Sequence, residues 1–235
     1  MKKLITLSVA SLAFSAMAAD FSPNIGVQQF TAGAEESEVL LPVIFDSLSQ
    51  SAISAKELVA TNGLATGTCL YVFQNDSYTA WMLQSAGWEP CQISEEGGVI
   101  PAGAATSGQT LAAGSAIWIS GVAGKTFSIY GKVITSKTST IVRNKINLLA
   151  NPTGATVTGS TLVTKLSGVV QAKDRITPIG GSFAGYYVYN GTAWVYVNGT
   201  AVTAVDALPN LAANQGFWYV SKSDLQEGKS NTISW

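Results

Sequence analysis

The chain contains no histidine, and that absence removes the commonest instruments of catalysis. A histidine-based triad, a histidine-ligated zinc and an imidazole general base are all excluded. Two cysteines are too few for a four-thiolate metal site. An enzyme built on this chain would have to run on carboxylates, Lys, Ser or Tyr. Glycoside hydrolysis needs two carboxyl groups facing each other across one bond. Glu95 and Glu96 stand side by side in a Gly-rich loop, a setting that reads as a solvated turn. Glu35, Glu36, Glu38, Asp76, Asp174, Asp206, Asp224 and Glu227 sit in turns and loops, and no pair of them recurs at equivalent places. GxSxG, SxxK, the phosphate-binding loop and the Asp-rich calcium loop are missing from the sequence. No catalytic residue, metal ligand or cofactor is assigned, and a carboxylate-based glycosidase ranks below the non-enzymatic readings.

Aromatic side chains offer a different chemistry. Trp81, Trp88, Trp194 and Tyr196 lie in or beside runs of strand-forming residues, and Tyr78 adds to the same region of the first half. Exposed rings beside a few hydrogen-bonding groups make flat platforms for sugars. Alternation along a strand sends Trp194 and Tyr196 to one face. These five are the candidate binding residues, with a polysaccharide or cell-surface protein as partner. The competing expectation is that one face of each sheet is simply core.

Cys69 and Cys91 pull in two directions. An oxidising compartment favours a bridge, and closing a loop of about 22 residues stabilises a fold by roughly 3 kcal/mol in the chain-entropy model. A regular meander through CLYVF, YTAWML and WEPCQI puts the two cysteines on strands about 9.5 Å apart, beyond the roughly 7 Å that bridged Cα atoms tolerate. The export reading below tips the expectation toward a disulfide.

The elements that position these residues occur twice. LAAGSAIWIS, from Leu111 to Ser120, returns about 100 residues later as LAANQGFWYV, from Leu211 to Val220. ISAKELV (Ile53 to Val59) matches VTGSTLV (Val157 to Val163), GKTFSI (Gly124 to Ile129) matches GKSNTI (Gly228 to Ile233), and VIF (Val43 to Phe45) matches NLL (Asn147 to Leu149). The four matches run in one order, which reads as an internal duplication. Aligned on Trp81 and Trp194, the first half carries extra residues around Glu95 to Thr110, and the second has its own insertion near Gln171 to Gly185. Asn190-Gly191 and Asn198-Gly199 sit between runs of Tyr, Val and Trp, the signature of type I′ hairpin turns. AKELVA after Ser54 predicts a turn or two of helix with Ser54 as N-cap. The fold class is therefore all-β, with two tandem repeats of about 100 residues as sandwich-like or meander-built lobes and little helix. Trp118, Trp218, Ile129 and Ile233 are expected to line a core.

Composition agrees. Charged residues are 11% and hydrophobic ones 47% of the chain, too apolar for disorder. Lys2, Lys3, the apolar run Leu4 to Ser15 and Ala16-Met17-Ala18 form a secretory leader with its cleavage site. The expected organisation is leader 1–18, first repeat 19–138 and second repeat 139–235. A net charge of −1 becomes more acidic when the leader's lysines leave, which argues against nucleic acid as a partner. Beyond the leader no apolar run is long enough for a membrane helix, and the strands lack the sustained alternation of an outer-membrane barrel. The expected location is outside the cytoplasm, in the periplasm, on the cell surface or beyond it.

NLLANP (Asn147 to Pro152), YVYNGTAW (Tyr187 to Trp194), GWEP (Gly87 to Pro90) and the late Gln215-Gly216-Phe217-Trp218 turn, in their order along the two halves, resemble the small secreted two-repeat proteins of Verrucomicrobia-type bacteria. The opening FSPNIGVQQFTAGAEESEVLLPV also resembles their start. The first half departs at Gly114-Ser115-Ala116-Ile117, and the second has no GWEP counterpart. The resemblance implies an exported, β-built, structural or interaction protein, and carries no catalytic residue.

Overall fold

The computed structural model describes residues 25–48, 53–74, 76–93, 99–101, 110–111, 114–133, 137–153, 155–179, 185–212, 215–222 and 229–235. The expected leader, Met1 to Ala18, and Glu95–Glu96 lie outside the described residues. The chain is mostly β. No helix among the described residues is long and apolar enough to cross a membrane.

The N-terminal half runs β1 (Ile25–Thr31), β2 (Glu38–Pro42), β3 (Phe45–Asp46), β4 (Ile53–Ser54), α1 (Ala55–Leu58), β5 (Cys69–Gln74), β6 (Ser77–Gln84), β7 (Gly87–Ile93), β8 (Val99–Pro101), β9 (Thr110–Leu111), β10 (Ala116–Ser120) and β11 (Thr126–Val133). The C-terminal half runs β12 (Thr138–Val142), β13 (Ile146–Ala150), α2 (Gly159–Leu166), β14 (Arg175–Pro178), β15 (Tyr186–Tyr189), β16 (Trp194–Asn198), β17 (Ala201–Val205), β18 (Gly216–Val220) and β19 (Ser230–Ser234). Strand β11 ends at Val133 and β12 begins at Thr138.

Each half has one six-stranded antiparallel sheet. The orders are β2-β10-β5-β6-β7-β8 and β13-β18-β14-β15-β16-β17, the same path drawn twice. A smaller layer covers each: β1-β11-β3 over the first, β12-β19 over the second. Single hydrogen bonds correspond as well. Ala32 N donates to Lys125 O as Arg143 N does to Lys229 O, and Leu83 N donates to Thr68 O as Tyr189 N does to Asp174 O. Ile53 pairs with Leu111 as Val157 bridges Leu211, so two of the repeated sequence stretches bond to each other in both halves.

Alternation explains the layers. In β10, Ile117 and Ile119 are fully buried in the first core with Leu70, Val72 and Trp81; in β18, Phe217 and Tyr219 do the same in the second. Trp118 and Trp218, one residue out of phase, point the other way. Instead of lining either core, they meet at the joint between halves, with Leu40, Phe73, Leu148 and Ile179 around Ala116 and Ala150. Phe73 and Trp218 pack edge to face at 5.1 Å. Gly216 keeps the approach close, since a Cβ would crowd the backbone oxygen of Leu149 as well as the Leu40 side chain. The backbone joins in, with Ala150 N donating to Gly114 O at 3.1 Å. The two six-stranded sheets thus meet through β2, β5 and β10 on one side and β13 and β18 on the other.

Local expectations fare unevenly. CLYVF, YTAWML and WEPCQI do form consecutive antiparallel strands. Ser54 is the N-cap of α1, and its backbone N–H donates to Glu57 Oε2 at 3.2 Å, while its own hydroxyl makes no capping bond. The Asn-Gly pairs differ from type I′ turns. Asn198 pairs with Ala201, which leaves Gly199-Thr200 as the two turn residues. The other loop spans Asn190 to Ala193, where the Asn190 side-chain oxygen accepts from Thr192 N, Thr192 Oγ1 and Ala193 N. A side chain that satisfies three donors makes the longer loop the better solution. Register also shifts one alignment: Leu83 faces Trp88 as Tyr189 faces Trp194, so Trp194 corresponds to Trp88 and not to Trp81.

Candidate functional site

The chemically richest cluster is internal to the C-terminal half. Arg143, one residue beyond β12, is fully buried, as are Asp174 ahead of β14 and Tyr219 in β18. Arg143 Nη1 donates to an Asp174 oxygen at 2.6 Å and to Ser221 Oγ at 3.1 Å. With its amide turned to satisfy both ends, Asn231 of β19 accepts from Arg143 Nη2 at 2.7 Å and Nε at 3.1 Å. Asp174 also accepts from the Tyr219 hydroxyl, from Gln171 N at 2.9 Å and from Lys222 N at 3.1 Å. Burial, and then the neighbouring Asp174 carboxylate, push the Tyr219 phenol far above its ordinary range.

Acid, base and cation are all present, yet the arrangement leaves them no outward-facing work. Four donors from within the fold reach Asp174, and Asp174, Ser221 and Asn231 together hold the guanidinium. What the cluster does is tie β12, β14, β18 and β19 to one point. Sequence reasoning missed it, reading Asp174 as a loop acid and giving Arg143 no role. The signal was available by comparing halves. The positions corresponding to Arg143, Asp174, Tyr219 and Asn231 are Ala32, Thr68, Ile119 and Phe127, by the register of their strands. An apolar plug in one half is a polar lock in the other. Thr68 keeps a trace of the difference, its buried hydroxyl oxygen having no hydrogen-bond partner.

The five aromatic candidates do not form one platform. Trp81 and Trp194 are 2% and 3% exposed and belong to the two cores. Both rings fill the core under the meander, which corrects the expectation that they stand in solvent. Trp88 packs partly buried on the first core and donates its indole N–H to Val59 O at 3.1 Å. Tyr196 lies against Tyr187 with ring centres 5.0 Å apart. Tyr78 alone of the five is an exposed large aromatic, at 41%, set edge-on to Phe73.

The disulfide expectation is also corrected. Cys69 faces Met82 across β5–β6, and Cys91 faces Ala80 across β6–β7. Strand β6 runs between the two cysteines, and no disulfide joins them. Cys69 is buried and its thiol is pushed up chiefly by that burial.

A cleft of about 220 Å³ opens where the halves meet, lined by Phe73, Gln74, Ser115, Thr140, Lys145 and Leu149 among others. At its rim Lys145 Nζ sits 2.7 Å from Asp76, whose other oxygen accepts from Ile146 N at 3.1 Å. Those two hydrogen bonds hold the Asp76 carboxyl below its ordinary range. No group of three or more His, Cys, Asp or Glu placed to hold a metal occurs among the described residues.

No protein-family model, curated protein or solved structure matches the chain.

Proposed function

We propose that this chain is an exported, non-enzymatic structural or interaction module made of two copies of one β unit, acting at the cell surface or in the extracellular matrix. The observation that carries the reading is the fate of Arg143, Asp174 and Tyr219. The richest cluster of acid–base groups among the described residues is sealed inside the second half, where it serves strand packing. The leader-like N-terminus, the resemblance to secreted two-repeat proteins and the shared strand order of the halves support the same conclusion. A panel of polysaccharide, ester and peptide substrates offered to the mature protein should show no turnover. Hydrolysis that disappears when one carboxylate is neutralised would overturn the reading.

A second reading, glycan binding, is favoured by one observation, the exposure of Tyr78. Retention on immobilised polysaccharide that Tyr78→Ala abolishes would support it.

A further inference from the structure

We infer that strand β17 pairs edge to edge with β17 of a second copy of this chain, antiparallel and centred on Thr203. This names the partner for the interaction module proposed above and rests on that reading.

Strand β17 ends its six-stranded sheet, and no described strand bonds to its outer side. Its sequence, Ala-Val-Thr-Ala-Val, has no charge and no proline. Residues Ala201 to Ala204 are all exposed, Val202 at 64%. Natural edge strands are usually blunted by Lys, Pro, a bulge or a covering loop. The corresponding edge of the first half is blunted that way. Register sets Pro101 opposite Cys91 in β7–β8 and Val202 opposite Val197 in β16–β17, and Cys91 and Val197 lie three residues past the corresponding Trp88 and Trp194. Pro101 and Val202 therefore occupy the same place, one without an N–H and one with it.

That N–H points outward. Asn198 and Ala201 close a two-residue hairpin, so Ala201, Thr203 and Val205 bond back to β16, while Val202 and Ala204 aim their amides and carbonyls away from the sheet. A two-fold axis at Thr203 lets Val202 of each copy exchange both bonds with Ala204 of the other. It sets Ala201 against Val205, and Thr203 against itself in a close, non-hydrogen-bonded pair. No like charges meet anywhere along it.

The face beside this edge is apolar too. The rows Tyr186–Val197–Val202 and Val188–Val195–Ala204 continue the sheet face that carries Trp218 into the joint between halves. The equivalent rows of the first half are Ala80–Cys91–Pro101 and one that passes from Met82 to Glu89, and further in, beyond Val188, the second half's row carries Arg175. Five residues of edge bury little area, so the pairing is weak and concentration-dependent, suited to chains crowded on a surface.

Sedimentation velocity of the mature protein over a wide concentration range tests this directly. The wild type should pass reversibly from monomer to dimer. Thr203→Lys and Thr203→Glu each place like charges opposite one another and should raise the dissociation constant about tenfold or more. An equal mixture of the two should restore association. Val202→Pro, which copies the first half, should also abolish it, with circular dichroism unchanged. A wild type that stays monomeric throughout, a Thr203→Lys variant that associates like wild type, or a mixture that fails to recover would each overturn the pairing. None of these bears on the proposed function, whose failure would appear as substrate turnover.

Discussion

Arg143 and Asp174 show most clearly how one residue's meaning depends on what covers it. Removing either partner leaves a charge buried without its complement, which costs about 3–5 kcal/mol. Arg143→Ala and Asp174→Ala should therefore lower the urea midpoint sharply with little change in slope. Replacing the whole cluster by its counterpart is a different experiment. Arg143→Ala, Asp174→Thr, Tyr219→Ile, Ser221→Gly and Asn231→Phe together install the first half's plug, and the combined variant should lie far closer to wild type than either single change. A combined variant as unstable as the sum of its parts would show that the lock holds the fold in a way the plug cannot. At the cysteines, alkylation without reduction followed by mass spectrometry should label two thiols, Cys91 before the buried Cys69. A bridged product would contradict the register of β5, β6 and β7. Little of this was legible beforehand. A lone arginine among Ile, Val and Asn reads the same whether its face meets water or a closed core. The zero histidine count, by contrast, needed no structure.

At the scale of elements, the strands were legible because alternation and turn residues mark them locally, as in CLYVF and YTAWML. Which face of each strand is core was not legible. Trp118 and Ile119 are both apolar neighbours, and only the second half's packing on the Trp118 side separates joint from core. The same cause misassigned Trp81 and Trp194 to solvent. Gly216→Val tests the joint, since a side chain there meets Leu40 and the backbone of Leu149. It should separate the halves partially, destabilising by about 1–3 kcal/mol through overpacking, and should quench or shift Trp118 and Trp218 fluorescence together. The Asp76–Lys145 contact at the cleft rim adds a pH dependence. The folded Asp76 pKa lies below its unfolded value, so its stabilisation is present above about pH 4 and fades as pH falls through the folded value. Both side chains are more than a third exposed, so the effect is small and screened by salt. Asp76→Asn should flatten the acid limb of the stability–pH curve slightly, and an unchanged limb would remove the contact from the account.

For the molecule as a whole, two six-stranded sheets meet at one joint, Arg143, Asp174 and Tyr219 are buried, and strand β17 ends its sheet exposed. That distribution suits an element of a surface layer, with β17 as the edge where copies meet. Cross-linking of intact producing cells, followed by mass spectrometry of the recovered chain, tests the central claim most directly. The expected product is a mature protein beginning at Ala19, accessible from outside the cell and linked to surface polymer or to its own copies through residues near β17. Recovery of a cytoplasmic chain with Met1 to Ala18 intact and no surface partner would contradict it.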